Sequence, residues 1–128
     1  MMKLILLIGG GALGTFLRYV ISGLPHRYTD HVFPWGTLLV NVSGAFLIGL
    51  IWGIFEERGI SPHTRTFIFI GVLGGFTTFS TFALESMNLF KEGAVKMAFV
   101  NILANNVLSL VLVFGGFFLA KGLLTIKF

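Results

Sequence analysis

The sequence has little charge and lacks cysteine altogether. Its 128 residues include nine Lys or Arg and five Asp or Glu, so that only 11% of the chain is charged. The absence of cysteine excludes disulfides, thiolate metal sites and cysteine nucleophiles. The basic residues are scattered and give a formal charge of only +4. No nucleic-acid partner is expected, because such a partner requires a basic stripe or patch.

Apolar residues make up 55% of the chain, and the mean hydropathy of +0.94 lies outside the range of soluble domains. Crossing a bilayer takes about 20 apolar residues. Runs of that length occupy residues 4–24, 34–55, 66–87 and 97–122. The first run lacks a small-residue cleavage site and is long enough to span, which argues against a signal peptide. We therefore predict an all-α membrane protein in which residues 1–128 form a single four-helix transmembrane domain.

A polar interruption in the third run is the strongest sign of function. Residues 74–82 read Gly-Gly-Phe-Thr-Thr-Phe-Ser-Thr-Phe, a glycine pair with hydroxyl side chains and aromatic rings. A helix broken at bilayer depth leaves backbone groups that lipid cannot satisfy, so protein, water or a bound ion must pair with them. The interruption predicts a broken third helix beside an ion-handling site.

The other polar residues inside the runs are mostly hydrogen-bond donors. Arg18 lies near the end of the first run, where its side chain either snorkels to the headgroups or forms a positive vestibule that draws anions. Asn41 lies near the middle of the second run, where its amide either bonds a neighbouring helix or donates to an anion. In the fourth run Asn101, Asn105 and Ser109 are spaced by four and share one helical face.

Acidic residues are absent from the middle of all four runs, and the acidic residue nearest to the middle of a run is Glu85. This disfavours a proton-coupled exporter, which needs an intramembrane carboxylate, and a carboxylate cage for divalent cations. Donors and one Arg suit an anion better. Phe79 and Phe82 share a helical face at spacing three, and ring edges attract a small anion where solvent is excluded. Simple packing of two Phe in a Phe-rich helix is the alternative.

Basic residues divide almost evenly between the two sides of the membrane. With the amino terminus inside, the inner set is Lys3, Arg58, Arg65, Lys121 and Lys127, and the outer set is Arg18, Arg27, Lys91 and Lys96. The positive-inside rule needs an excess on one side to fix orientation. Either the chain inserts both ways, which permits an antiparallel dimer, or unequal weights of individual charges set one orientation.

Oligomerisation is predicted, because four helices pack around side chains and leave no lumen for a wet pathway. Glycines are frequent in the first three runs, among them Gly9, Gly11, Gly14 and Gly49. Such residues let backbones approach closely in the membrane. The close contacts lie either within one chain or between chains, and the sequence alone does not separate the two.

Three motifs together resemble the CrcB/Fluc family of microbial fluoride channels. They are Gly11-Ala12-Leu13-Gly14 leading to Arg18-Tyr19, then Gly36-Thr37-Leu38-Leu39-Val40-Asn41 with Gly44 and Phe46, and finally residues 74–82. The resemblance covers essentially the whole chain in length and motif order. It implies a fluoride-selective channel of the cell (inner or plasma) membrane, through which toxic fluoride leaves the cytoplasm passively. Members of the family are antiparallel, dual-topology homodimers with two fluoride pathways.

The resemblance also implies roles for individual residues. Phe79 and Phe82 would contact fluoride with their ring edges, and Asn41 would be a pore-lining donor. Ser80 and Thr81 would lie beside the ion path. Asn105 and Ser109 would belong to the polar track of the fourth span, and Arg18 and Glu85 would lie at the aqueous vestibule. Gly74 and Thr77 would offer backbone carbonyls, two from each subunit, to a structural sodium ion on the dimer axis.

Two other functions remain open on the sequence: a small proton-coupled exporter of dual topology and a non-transporting membrane scaffold subunit. An enzyme is not expected, because no pairing of nucleophile and base and no metal cluster lies at depth. The expected partners are the fluoride ion, membrane lipid and a second copy of the chain.

Overall fold

The computed structural model describes residues 1–28 and 32–126, and within them the fold is entirely helical. Three long helices are α1 (Met2–Gly23), α2 (Trp35–Phe55) and α6 (Val95–Ile126), and a 3₁₀ turn covers Pro25–Arg27. The remaining helix, called the broken span, consists of α3 (Pro62–Arg65), a π-helical stretch (Thr66–Leu73), α4 (Gly74–Phe76) and α5 (Phe79–Lys91). Four helical segments are long and apolar enough to cross a membrane, namely Met2–Arg27, Trp35–Phe55, Pro62–Lys91 and Val95–Ile126. The prediction of an all-helical chain with four membrane-length helices is confirmed. Lys127, counted in the charge balance, lies outside the described residues.

The break predicted in the third helix is present and lies at Thr77 and Thr78. Both residues are extended, with ψ of 157° at Thr77 and 116° at Thr78. Helix α5 begins directly afterwards, because the Thr78 hydroxyl oxygen accepts a hydrogen bond from the N–H of Thr81 at 3.2 Å and so satisfies one of the free amides of the first turn. The glycine pair itself is helical: a Cβ on Gly75 would lie 2.8 Å from the carbonyl oxygen of Gly11. Gly75 therefore serves close packing against α1.

Close glycine contacts hold neighbouring helices together, and two of them illustrate this. A Cβ on Gly14 of α1 would collide with the carbonyl of Val72 in the broken span, and one on Gly49 of α2 would collide with the carbonyl of Val113 in α6. Gly9 has no atom within 4 Å of such a Cβ. The glycines thus divide between contacts inside the chain and open positions on its surface.

Candidate functional site

Asn41 of α2 pairs with the backbone of the break. Its Nδ2 donates to the carbonyl oxygen of Thr78 at 3.0 Å, and its Oδ1 accepts from the N–H of Thr78 at 2.8 Å. An extended residue between two helices leaves both backbone groups without intrahelical partners, and lipid supplies none. The amide side chain replaces both partners at once. Thr78 is only 7% exposed, so this pairing lies inside the protein.

A continuous row of hydrogen bonds, called the amide chain, leads from Asn41 across α6 and back to the broken span. Asn41 Nδ2 also donates to Asn105 Oδ1 at 2.9 Å, and Asn105 Nδ2 donates to both Oδ1 and the carbonyl oxygen of Asn101, at 2.8 and 3.0 Å. Asn101 Nδ2 donates to Ser86 Oγ at 3.0 Å, and the Ser86 hydroxyl donates to the carbonyl oxygen of Phe82 at 2.9 Å. Asn101, Asn105 and Ser86 are buried. The amide chain therefore begins and ends on the broken span.

The amide chain leaves its two central amides with no free donor. Asn41 Nδ2 has two acceptors and Asn105 Nδ2 has two acceptors, which uses both N–H groups of each. An anion can take a hydrogen bond from either side chain only by replacing one of these acceptors. Ser109, half-buried on the same face of α6, has no hydrogen-bond partner among the described residues. Its hydroxyl is a free donor on this face.

An open groove of about 440 Å³ lies between α2, α6 and the broken span. The predicted site residues that line it are Asn41, Gly74, Thr77, Phe79, Phe82, Asn105 and Ser109. The Phe79 and Phe82 rings meet edge to face, with centroids 5.2 Å apart and planes at 68°. Phe82 is buried, whereas Phe79 is 74% exposed. Among the described residues, none that lines the groove is charged, so the described wall consists of rings, amides, hydroxyls and apolar side chains.

The remaining predicted site residues lie outside this groove. Ser80 and Thr81 are exposed in the first turn of α5, where the Thr78 hydroxyl donates to Thr81 Oγ1 at 2.9 Å. Thr81 lines two smaller cavities: one of about 270 Å³ that it shares with Arg18, and one of about 430 Å³ that it shares with Glu85. Arg18 and Glu85 therefore lie at separate cavities that meet at Thr81.

Arg18 and Glu85 each form a hydrogen bond with a residue of another helical segment. Arg18 Nη1 donates to the carbonyl oxygen of Thr77 at 3.3 Å, so its charge lies at the break as well as at a cavity. Glu85 Oε1 accepts from the Thr37 hydroxyl at 2.7 Å, while Glu85 Oε2 is buried without a partner among the described residues. Thr37 thus provides a hydrogen bond to Glu85 in the wall of the cavity that both residues line.

Backbone oxygens at the break have the chemistry of a hard-cation site. No group of three His, Cys, Asp or Glu suitable for a metal occurs in residues 1–28 and 32–126. The carbonyl of Gly74 lacks the usual helical partner, because the N–H of Thr78 is bonded to Asn41. Gly74 is exposed, and within the part of the chain that the structure describes the Thr77 carbonyl accepts a hydrogen bond only from Arg18. Backbone carbonyl oxygens are among the ligands that hard cations prefer.

Sequence reasoning assigned no role to Thr37, Thr78 or Ser86. Ser86 follows Phe82 by four residues, the spacing at which a helical serine hydroxyl bonds the preceding turn. Ser86 and Asn101 also lie seven and eight residues on either side of Gly93, in the turn between α5 and α6. Residues equally distant from a short turn lie at the same height in a helical hairpin, so this pairing had a signal in the sequence.

Comparisons with known proteins agree on one family. The family model described as CrcB-like protein, Camphor Resistance (CrcB), matches residues 5–117. A protein of Parabacteroides distasonis with the name Fluoride-specific ion channel FluC is 50% identical over 98% of this chain and 98% of its own length. Proteins with the same name from Pyrococcus horikoshii and Agrobacterium fabrum are 48% and 43% identical, over 91% and 96% of this chain and 94% and 99% of their own.

Proposed function

This chain belongs to the CrcB family, and from that premise we propose that it is a fluoride-specific ion channel whose pathway runs along the groove at the break. It is a multi-pass membrane protein and not an enzyme. The observation that carries the proposal is the meeting of the break, the Phe79 and Phe82 rings and the polar face of α6 in one uncharged groove. Passive movement of fluoride along it lowers fluoride toxicity in the cytoplasm.

The groove has the chemistry that a strongly hydrated small anion requires. Selective passage needs contacts that replace water closely enough to discriminate and weakly enough to allow release. Ring edges of Phe79 and Phe82 offer positive rims, and the free Ser109 hydroxyl offers a donor. Asn41 and Asn105 line the path. Both N–H groups of each side-chain amide already donate hydrogen bonds, so these amides form a fixed polar wall. The described part of this wall has no carboxylate, which does not favour a proton-coupled exporter.

The entrance to the pathway is proposed to lie at the cavities that meet at Thr81. Arg18 supplies positive charge to one cavity, which concentrates anions near it. Glu85 lies at the other, held by Thr37. Ser80 and Thr81 are exposed hydroxyl donors beside the break. Ions pass from this region to the ring pair on the same first turn of α5.

The working unit is proposed to be an antiparallel, dual-topology homodimer with two pathways. The groove is open on one side and Phe79 is 74% exposed, so a single chain does not enclose an ion. A second copy in the opposite orientation completes the wall. The nearly even division of basic residues supports insertion in both orientations.

Carbonyl oxygens of Gly74 and Thr77, with their equivalents in the second copy, are proposed to hold a structural sodium ion. The ion would balance the partial negative charge of the Gly74 carbonyl, which lacks its helical partner, and of the Thr77 carbonyl, which accepts from Arg18. We expect replacement of sodium by N-methyl-D-glucamine to weaken the purified dimer in size-exclusion chromatography. Fluoride flux driven by a sodium gradient alone would contradict a structural role.

Fluoride efflux from liposomes containing the purified protein tests the proposed function. The wild-type chain is expected to release fluoride rapidly and to exclude chloride. Phe79→Ile and Asn41→Asp are expected to slow fluoride efflux at least about tenfold, because one removes a ring edge and the other puts a negative charge beside the Thr78 carbonyl. Phe118→Ile is the matched control, since Phe118 is also an exposed ring paired with a neighbouring Phe and lies outside the groove.

Equal chloride and fluoride flux from the wild-type chain would contradict a fluoride-selective channel. Complete silence to both ions would favour a scaffold subunit. Fluoride transport that stops when the proton gradient is collapsed would favour an exporter.

A further inference from the structure

We propose that Asn101 and Ser86 are positioning residues of the fluoride pathway, which hold the first turn of α5 against α6 through the amide chain. This inference rests on the proposed function of the groove. Neither residue lines the groove. They act through Asn105, Asn41 and the backbone carbonyl of Phe82.

The amide chain spans the one turn that carries both rings. One end is fixed at Thr78, where Asn41 pairs with both backbone groups, and the other is fixed at the carbonyl of Phe82 through Ser86. Phe79 and Phe82 lie within that interval. The route between its ends passes through α2 and α6. Hydrogen bonds to α2 and α6 thereby fix the height and tilt of the first turn of α5. Helix α4 does not fix them, because the break separates α4 from this turn.

The direction of every hydrogen bond in the amide chain follows from its ends. The Phe82 carbonyl can only accept, so the Ser86 hydroxyl donates to it and accepts from Asn101 Nδ2. The Asn101 Oδ1 atom then faces Asn105, whose Nδ2 must donate to it, and Asn105 Oδ1 is left to accept from Asn41. Turning over a single amide would bring two donors or two acceptors face to face. The chain therefore has one arrangement, which agrees with the needs of Thr78 at its other end.

Burial makes this arrangement rigid. Asn101 is fully buried, and Asn105 and Ser86 are 5% and 6% exposed. A polar group that loses its partner at such a position cannot turn to water, and hydrogen bonds in a low-dielectric network reinforce one another. If Asn101 loses its amide, Asn105 Nδ2 loses one of its two acceptors, and the amide in the groove wall can rotate. A wall that rotates fits the smallest halide less selectively.

The test compares two serines with the same local bond. Ser86 and Ser43 both donate to the carbonyl four residues earlier, but only Ser86 accepts from an asparagine of α6. In liposome flux assays, Ser86→Ala and Asn101→Leu are expected to lower the ratio of fluoride to chloride permeability about tenfold, the effect of losing one buried hydrogen bond. Ser43→Ala is expected to keep the wild-type ratio within about twofold, and Ser86→Thr, which keeps the hydroxyl, should retain most of it.

The permeability ratio separates positioning from loss of folded protein, because it does not depend on how many channels are active. Hydrogen–deuterium exchange in detergent gives a second measurement that needs no transport. Exchange in residues 78–86 should become about tenfold faster in Ser86→Ala and Asn101→Leu and stay unchanged in Ser43→Ala.

A selective wild-type channel whose ratio and exchange are unaltered by Ser86→Ala and Asn101→Leu would overturn this inference alone. A wild-type protein that conducts no fluoride would overturn the proposed function, and the inference with it.

Discussion

Asn41 shows how one side chain makes a broken helix tolerable in lipid. Its amide has a donor and an acceptor in the same arrangement as a peptide group, and it uses them on the two backbone atoms of Thr78. Sequence reasoning found this residue and gave it two interpretations, a bond to another helix and a donor to an anion. The structure shows the first directly. The second would require an anion to replace one of the two acceptors of Asn41 Nδ2, and Asn41→Asp tests whether this position is needed for fluoride flux.

The residues of the pathway differ in how far sequence predicts them. Phe82 and Asn105 line one groove with Asn41, and the roles on the ion path that the family resemblance implied for them stay predictions. The contact of Arg18 with the Thr77 carbonyl was not predicted, because it depends on how α1 lies against the broken span. That packing is decided by glycine contacts between residues far apart in sequence.

A pH effect is expected at the carboxyl-terminal end of α2. Lys121 Nζ lies 2.9 Å from Glu56 Oε2 and 2.8 Å from Glu57 Oε1. The hydrogen bond and charge of Lys121 lower the pKa of Glu57. A carboxyl group whose pKa is lower in the folded state stabilises the fold above its unfolded pKa, and this stabilisation is lost as the pH falls through the folded pKa.

The apparent Tm of the wild-type protein in detergent should therefore decrease between about pH 5 and pH 3 by more than that of Lys121→Met, which lacks the partner. The difference should be small, because Glu57 is exposed to solvent and exposed ion pairs contribute little. Parallel curves for the two proteins would show that the pair has no part in stability.

Among the helical elements, the position of the break within the third helix is the main difference from expectation. Glycines at 74 and 75 suggested that the interruption starts there, but both are helical, and Gly75 packs against α1. The chain leaves helical geometry at two β-branched residues, Thr77 and Thr78, whose hydroxyls bond local groups. Composition predicted that a break exists. Its position depends on the partner that Asn41 supplies from another helix.

The contact between α1 and the broken span yields a sharp prediction from two glycines of α1. Gly14→Ala would drive a methyl group into the backbone carbonyl of Val72, and backbone cannot move aside as a side chain can. We expect the unfolding free energy in detergent to fall by about 1–3 kcal/mol. Gly9→Ala is the matched control, since no atom lies within 4 Å of its added Cβ, and alanine favours helix.

Thermal or denaturant unfolding of the two variants measures the difference. Equal stability of Gly14→Ala and Gly9→Ala would mean that α1 and the broken span do not pack as described.

At the scale of the whole molecule, dual topology predicts that charge alone can switch the channel off. Lys91→Gln with Lys96→Gln removes basic residues from the side opposite the amino terminus, so that the amino-terminal side has a clear excess of basic residues. All chains should then insert with the amino terminus inside. An antiparallel dimer cannot form from chains of one orientation, so fluoride export should be lost. Removing Lys3, Arg58 and Lys127 in the same way should fix the opposite orientation, with the same loss.

Coexpression of the two charge variants should restore fluoride export, because together they supply both orientations. Export by either variant alone would show that the working unit does not require an inverted pair. Lys3, Arg58, Lys91 and Lys96 are exposed, so their replacement should leave packing unaltered.

The pairing of Asn41 with Thr78 also bears on biogenesis. Helix α2 precedes the broken span in the chain, so Asn41, which pairs with the backbone of the break, is synthesised before Thr78. Asn105 follows later, with α6. When the break is synthesised, one of its polar partners therefore already exists in the chain. Helix α6, the last to be synthesised, adds Asn105 and completes the hydrogen bonds of the amide chain.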